Sequence, residues 1–139
     1  MVPLSAPPED TRLVMTPAEL TSLAQAGVTI GAHTRNHVNL AHQPAEVVAA
    51  EVEGSRDDIE EWTGTRPRGF SYPFGLPRHD VNAIARQAAE AAGFAYAVVN
   101  QPIPVPRGAD PFAVPRLSAP DLGGAAFHEW LTTKLAGRA

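Results

Sequence analysis

Val28-Thr29-Ile30-Gly31-Ala32-His33-Thr34-Arg35-Asn36-His37 is the stretch from which the rest of the chain is read. Its first five residues are a short, β-branched apolar run and predict a strand. His33 then stands just past the C-terminal end of that strand, where loops of α/β folds carry ligands and chemistry. His37 follows four residues later. Two imidazoles at this spacing share one side of a helical turn and can present neutral nitrogens to a single metal ion. Zinc takes such ligands readily, and a catalytic zinc adds a third protein ligand and an open position for water. Thr34 is placed to hydrogen-bond locally and fix the loop. The plainer alternative is an incidental pair. With five histidines in the chain the spacing alone is weak evidence, and the position after a strand gives it its weight.

Upstream, Thr16-Pro17-Ala18-Glu19 predicts a helix start, with Thr16 as cap, Pro17 in the first turn and Glu19 completing a capping box. Leu20, Leu23 and Ala24 give that helix its apolar face, and Gly27 ends it. Residues 1–14 read as an extended, Pro-rich lead-in. They show neither a basic n-region nor an apolar h-region, so no signal peptide is expected, and the cytoplasm is the default location.

Downstream, a helix opens near Pro44. Val48, Val52, Ser55, Ile59 and Trp62 recur at the period of one helix face, while Glu51, Glu53, Arg56, Asp57 and Glu60 mostly cover the rest. Gly64 is its stop. Gly69-Phe70-Ser71-Tyr72 predicts a second strand that runs into the turn Pro73-Phe74-Gly75. A third helix is expected from Pro77 through Val81, Ile84, Ala85, Ala88 and Ala92, and Phe94-Ala95-Tyr96-Ala97-Val98-Val99 is a third strand. After a loop rich in proline, Phe112-Ala113-Val114 is a fourth strand before Pro115-Arg116-Leu117. Residues 125–135 close the chain as a helix with Phe127, Leu131 and Leu135 on one side. This alternation predicts an α/β fold with parallel strands, about four strands and four helices, where a closed barrel needs about twice as many strands.

Composition narrows the partners. At 139 residues and 44% hydrophobic, the chain can bury one core. A net charge of -4 with scattered Lys and Arg argues against nucleic acid and against an anionic membrane surface. No apolar run is long enough to span a bilayer. The absence of cysteine removes disulfides, thiolate metal sites and a cysteine nucleophile together.

The second segment of interest is Arg68-Gly69-Phe70-Ser71-Tyr72-Pro73-Phe74-Gly75. A strand that ends in so tight a turn can leave a backbone N–H pointing into a cleft, as an oxyanion hole requires. The alternative is an ordinary strand end punctuated by Pro and Gly.

Taken together, the two segments resemble the polysaccharide deacetylases of the NodB-homology type (carbohydrate esterase family 4). That family carries His-[Ser/Thr]-x-x-His after one barrel strand, matched here by residues 33–37. One branch carries Phe-x-Tyr-Pro-[Tyr/Phe]-Gly further along, matched by residues 70–75. The intervening helix has the expected length. Gly93-Phe94-Ala95-Tyr96-Ala97 and Asp110-Pro111-Phe112-Ala113-Val114-Pro115-Arg116-Leu117 are similar to the ends of such domains. The resemblance implies a partial (β/α) barrel of the NodB-homology type over residues 15–139. It implies that His33 and His37 hold zinc or another divalent metal. The backbone N–H of Phe74 would help hold an oxyanion, Tyr72 and Pro73 would line the groove with Tyr72 close to the chemistry, and Arg116 would contact substrate. A metal-bound water would attack the acetyl carbonyl of a carbohydrate, with a carboxylate as general base.

Several positions depart from the family pattern. The family's Asp-Asp pair, which supplies a third ligand and the base, has no counterpart before His33. The only such pair, Asp57-Asp58, reads as a solvated helix face. Ser71 stands where many members carry arginine, and Val38 stands where a proline usually follows the second histidine. No late Leu-x-His is recognisable: His128 sits on a helix, and His42 and His79 read as surface or capping residues. The expectation is therefore a weakly held metal and a deacetylase that acts only when a missing half or partner brings carboxylates. A homo-oligomer or a partner chain would cover the open strand edges. The competing expectations are a catalytically inactive deacetylase-like domain that binds carbohydrate or a protein, and a plain α/β scaffold.

Overall fold

A capping box opens the first helix, as its sequence predicts. In the computed structural model, which describes residues 14–136, α1 spans Pro17–Gln25. The Thr16 hydroxyl accepts from the Glu19 N–H at 3.3 Å while the Glu19 carboxylate accepts from the Thr16 N–H at 2.7 Å. The lead-in expected over residues 1–14 lies outside the described residues apart from Val14.

The strand expected over residues 28–32 contracts to a single bridge at Ala32. The Ala32 N–H donates to the Gly69 carbonyl at 3.0 Å, and the Ser71 N–H donates to the Ala32 carbonyl at 2.9 Å. Val28 is half exposed, so the start of this run gains little by lying flat on the core. A short 3₁₀ turn, Leu40–His42, follows and is capped by the Asn39 side chain.

Helix α2 spans Ala45–Thr63 and ends where Gly64 turns left-handed at φ +69°. Val48, Val52, Ser55 and Ile59 are buried as the periodicity requires, whereas Trp62 is exposed. Glu51 and Gly54 are buried too.

Strands β1 (Gly69–Ser71), β2 (Tyr96–Val99) and β3 (Val114–Pro115) form an open parallel sheet in the order β1-β2-β3. Phe70 pairs with Ala97 and Val98 with Val114. Helix α3, Ala83–Ala91, begins later than the expected start near Pro77. Residues 77–81 instead form a turn closed by a Pro77–Val81 bridge, in which Arg78 is left-handed and the Asp80 carboxylate accepts from the Leu76 N–H at 2.9 Å. Asn82 then caps the helix by accepting from the Ala85 N–H. Helix α4 spans Gly124–Ala136 and buries none of its residues.

The core lies between the sheet and helices α2 and α3. Phe70 is its centre, with its ring centroid 5.2 Å from those of both Tyr72 and Phe94. Val48, Val52, Ala85, Ala89, Ala97 and Val99 fill in around it. Each fully buried valine among them contributes roughly 1.5–3 kcal/mol. The expected α/β class and partial NodB-type arrangement are present, with three strands and four α-helices among the described residues. Among the described residues, no helix is long and apolar enough to cross a membrane.

Candidate functional site

The loop that leaves Ala32 is not a helical turn. Thr34 and His37 adopt left-handed backbone at φ +63° and +53°, and for a β-branched residue that conformation is strained. The two imidazoles meet all the same. Their ring centroids lie 4.9 Å apart, with planes at 73°.

His33 is fixed from one side. Its Nδ1 lies 2.6 Å from the Ser71 carbonyl oxygen at the end of β1. A carbonyl only accepts, so Nδ1 carries the proton and donates, which in the neutral ring leaves Nε2 with its lone pair. Thr34, expected to bond locally, has a buried hydroxyl oxygen with no partner among the described residues.

The residues between the histidines are held by α2, which sequence reasoning missed. Glu51 is 8% exposed. One of its carboxylate oxygens accepts from the Arg35 and Asn36 N–H groups, both at 2.9 Å, and the other accepts from Asn36 Nδ2. Burial pushes the Glu51 carboxyl up, but the hydrogen bonds from Asn36 and Arg35 outweigh it and hold the group below the usual carboxylate range. Arg35 donates through Nε and Nη2 to the two oxygens of Asp58 at 2.7 and 2.5 Å, and this hydrogen-bonded pairing holds the Asp58 carboxyl down as well. Glu51 and Asp58 are therefore not the solvated face that the charge pattern suggested. The available signal was their spacing: positions 51, 54 and 58 share one stripe of a helix.

The second segment supplies a turn. Phe74 and Gly75 are left-handed at φ +61° and +72°. A Cβ on Gly75 would lie 3.1 Å from the Tyr72 carbonyl oxygen and 3.2 Å from the Asn100 nitrogen, so this position needs glycine. The Asn100 N–H donates to the Gly75 carbonyl at 2.7 Å and ties the turn to the end of β2. The Phe74 ring is exposed and stands edge-on to His37, centroids 5.1 Å apart. His33, His37 and Phe74 thus form a row of rings, and the Phe74 N–H has no acceptor among the described residues. The buried Asp80 links the two segments, accepting from Asn39 Nδ2 at 2.7 Å as well as from Leu76.

Tyr72 and Pro73 occupy a different place from the groove lining that was expected. Both are fully buried, so they shape the turn from beneath. The Tyr72 hydroxyl donates to the Phe112 carbonyl at 2.9 Å. Burial, and after it the nearby Asp110, pushes its phenol well above the ordinary range. Arg116 is exposed just after β3, two strands away from β1 and on the order of 10 Å across the sheet. His42, His79 and His128 are exposed.

Two nitrogen ligands about 2 Å from a shared ion place their ring centroids roughly 5 Å apart. The His33–His37 geometry, with one tautomer fixed, fits such a two-point hold. It does not complete a closed or catalytic set, because no group of three or more His, Cys, Asp or Glu able to hold a metal occurs among the described residues.

The fold, the paired histidines and the turn beside them define a class. The chain belongs to the polysaccharide deacetylase family, whose sequence profile matches residues 9–97. The Streptococcus pyogenes deacetylase PplD, solved in complex with acetate, superposes with a TM-score of 0.77 at 18% identity, over 90% of this chain and 53% of that one. A polysaccharide deacetylase from Bacillus cereus gives 0.67 at 19%, over 78% and 33%. The BpsB deacetylase domain from Bordetella bronchiseptica gives 0.65 at 21%, over 74% and 48%. At these identities the likeness establishes the fold. The chain spans about half or less of the length of these structures. Comparison with curated protein sequences gives no match.

Proposed function

We propose that this chain carries the histidine-bearing part of a metal-dependent carbohydrate deacetylase site, for N- or O-acetyl groups. The observation that carries this reading is the His33–His37 ring pair at 4.9 Å with His33 Nδ1 committed to the Ser71 carbonyl. His33 would offer Nε2, and His37 a ring nitrogen, to one divalent cation, with zinc the best match to a nitrogen donor set. When bound, such a cation supplies Lewis-acid polarisation and a more acidic water. The Phe74 N–H donates to the oxygen that becomes negative as the acetyl carbonyl turns tetrahedral. Tyr72 and Pro73 hold that donor in place from below. Arg116 contacts substrate only if the bound carbohydrate reaches past β2 to β3. The third ligand and the general base are carboxylates contributed by residues outside those described here or by a partner chain, which also covers the open sheet edges.

Isothermal titration with zinc chloride tests the first half of this reading. Binding that disappears in His33→Ala and in His37→Ala supports it, and identical titrations for all three proteins refute it. Acetate release from N-acetylglucosamine oligomers, with and without an added polypeptide bearing a strand that ends in Asp-Asp, tests the second half. A second reading, a domain that binds carbohydrate without hydrolysing it, is favoured by the lack of a third ligand among the described residues. It predicts oligomer binding with no acetate release in either condition.

A further inference from the structure

We infer that Glu51, Gly54 and Asp58 form a positioning stripe on α2 that sets the separation of the His33 and His37 rings; the inference rests on the metal-holding role proposed for those rings. Backbone held in sparsely populated conformations persists only where its surroundings over-determine it. The loop contains two such residues, Thr34 and His37, and neither is glycine. Helix α2 provides the determination. Glu51 takes two of the three backbone N–H groups that lie between the histidines, those of Arg35 and Asn36, and its second oxygen takes the Asn36 amide. Arg35 reaches back along the same helix to Asp58 through two parallel bonds. Gly54 lies between these anchors and gives the guanidinium its path, since a Cβ there would sit 2.6 Å from Arg35 Cζ.

Every one of these contacts is made to residue 35 or 36, and none to a histidine. The stripe therefore acts on the rings through the backbone that joins them. Groups that orient ligands in this way influence metal affinity without touching the ion. A clamp that served stability alone would change the melting temperature and leave ring geometry and zinc affinity untouched.

The full 139-residue chain is compared with Glu51→Met, Glu51→Gln and Gly54→Ala. Zinc chloride affinity is read by calorimetry, and the ring-to-ring nuclear Overhauser contact by NMR without metal. Methionine nearly preserves volume but removes the acceptors. Glutamine keeps an oxygen for the two backbone N–H groups, and the Asn36 amide can turn to accept from the new NH₂. Alanine at 54 improves helix propensity while displacing Arg35. Glu51→Met should bind zinc about ten- to a hundred-fold more weakly and lose the ring contact, and Glu51→Gln should restore most of both. Gly54→Ala should melt no lower than the parent yet bind zinc several-fold more weakly. Parental affinity and ring contact in both Glu51→Met and Gly54→Ala overturn the inference. If the parent takes no zinc through His33 and His37, the proposed function fails, and the metal-free ring contact still decides: its loss in Glu51→Met upholds the stripe and its persistence removes it. If Glu51→Met does not fold, Gly54→Ala carries the same two readouts.

Discussion

Helices α2 and α4 use their sequences in opposite ways. Helix α4 carries Phe127, Trp130, Leu131 and Leu135 within 13 residues and buries none of them. Its aromatic pair stacks upon itself, Phe127 on Trp130 at 5.6 Å. Helix α2 is far more charged, yet over 19 residues it buries six, Glu51 among them. Burial is thus decided by what a helix faces. Helix α2 meets both α1 and α3, and it also meets a loop whose backbone N–H groups need acceptors. A carboxylate there is more useful than a methyl group.

The widest gap between the two helices should appear on truncation of a core side chain. Ile59→Ala in α2 is expected to cost about 2–5 kcal/mol, read from urea unfolding midpoints. A cost no larger than that of the matching change in α4 would break the comparison.

The next effect lies in the core that α2 covers. Tyr72→Phe leaves the Phe112 carbonyl without its donor and should cost about 1 kcal/mol. It should also alter the alkaline limb of the stability curve. The folded phenol pKa is raised, so the unfolded chain ionises first, near its ordinary value of about 10. The contribution of Tyr72 is complete below that pH and is lost as pH rises beyond it. Melting curves taken at rising pH should fall less steeply for Tyr72→Phe than for the parent.

Within α2, Gly54→Ala sharpens the comparison, because the three atoms nearest the new methyl belong to the movable end of Arg35. Helix propensity then predicts a gain of up to about 1 kcal/mol, measured by thermal melting. The smallest effect is expected in α4, where Leu135→Ala should change stability by no more than about 0.5 kcal/mol.

Local chemistry explains which parts were legible in the sequence. The Thr16–Glu19 box and the Gly64 stop involve residues a few positions apart, so their signals are complete in the sequence itself. The His33–His37 pair was found from its spacing together with its place after a strand, and the Phe74 turn from Pro and Gly at a strand end, although the backbone that joins the histidines is left-handed and not a helical turn. The rest depended on partners distant in sequence. Residues 28–32 have strand composition, but only Ala32 finds a ladder partner. Pro77 looked like a helix start, yet Asp80 and Asn82 pull the beginning of α3 several residues on. Glu51 and Asp58 looked like solvent residues because their acceptor role depends on a loop 15 to 23 positions earlier. Tyr72 carries a groove-lining aromatic's signature but is fully buried beneath the turn.

The bond between His33 and Ser71 has one more consequence. In a parallel ladder with Ala32 opposite Phe70, the next rung would run from the amide of residue 34 to the Ser71 oxygen. Thr34 has swung away, and an imidazole fills the place of that amide. The ring is spliced into the sheet as its terminal rung, so the strand has to stop where it does for the side chain to be aligned. Any substitution that let regular pairing run one residue further would claim the same oxygen and set the histidine adrift.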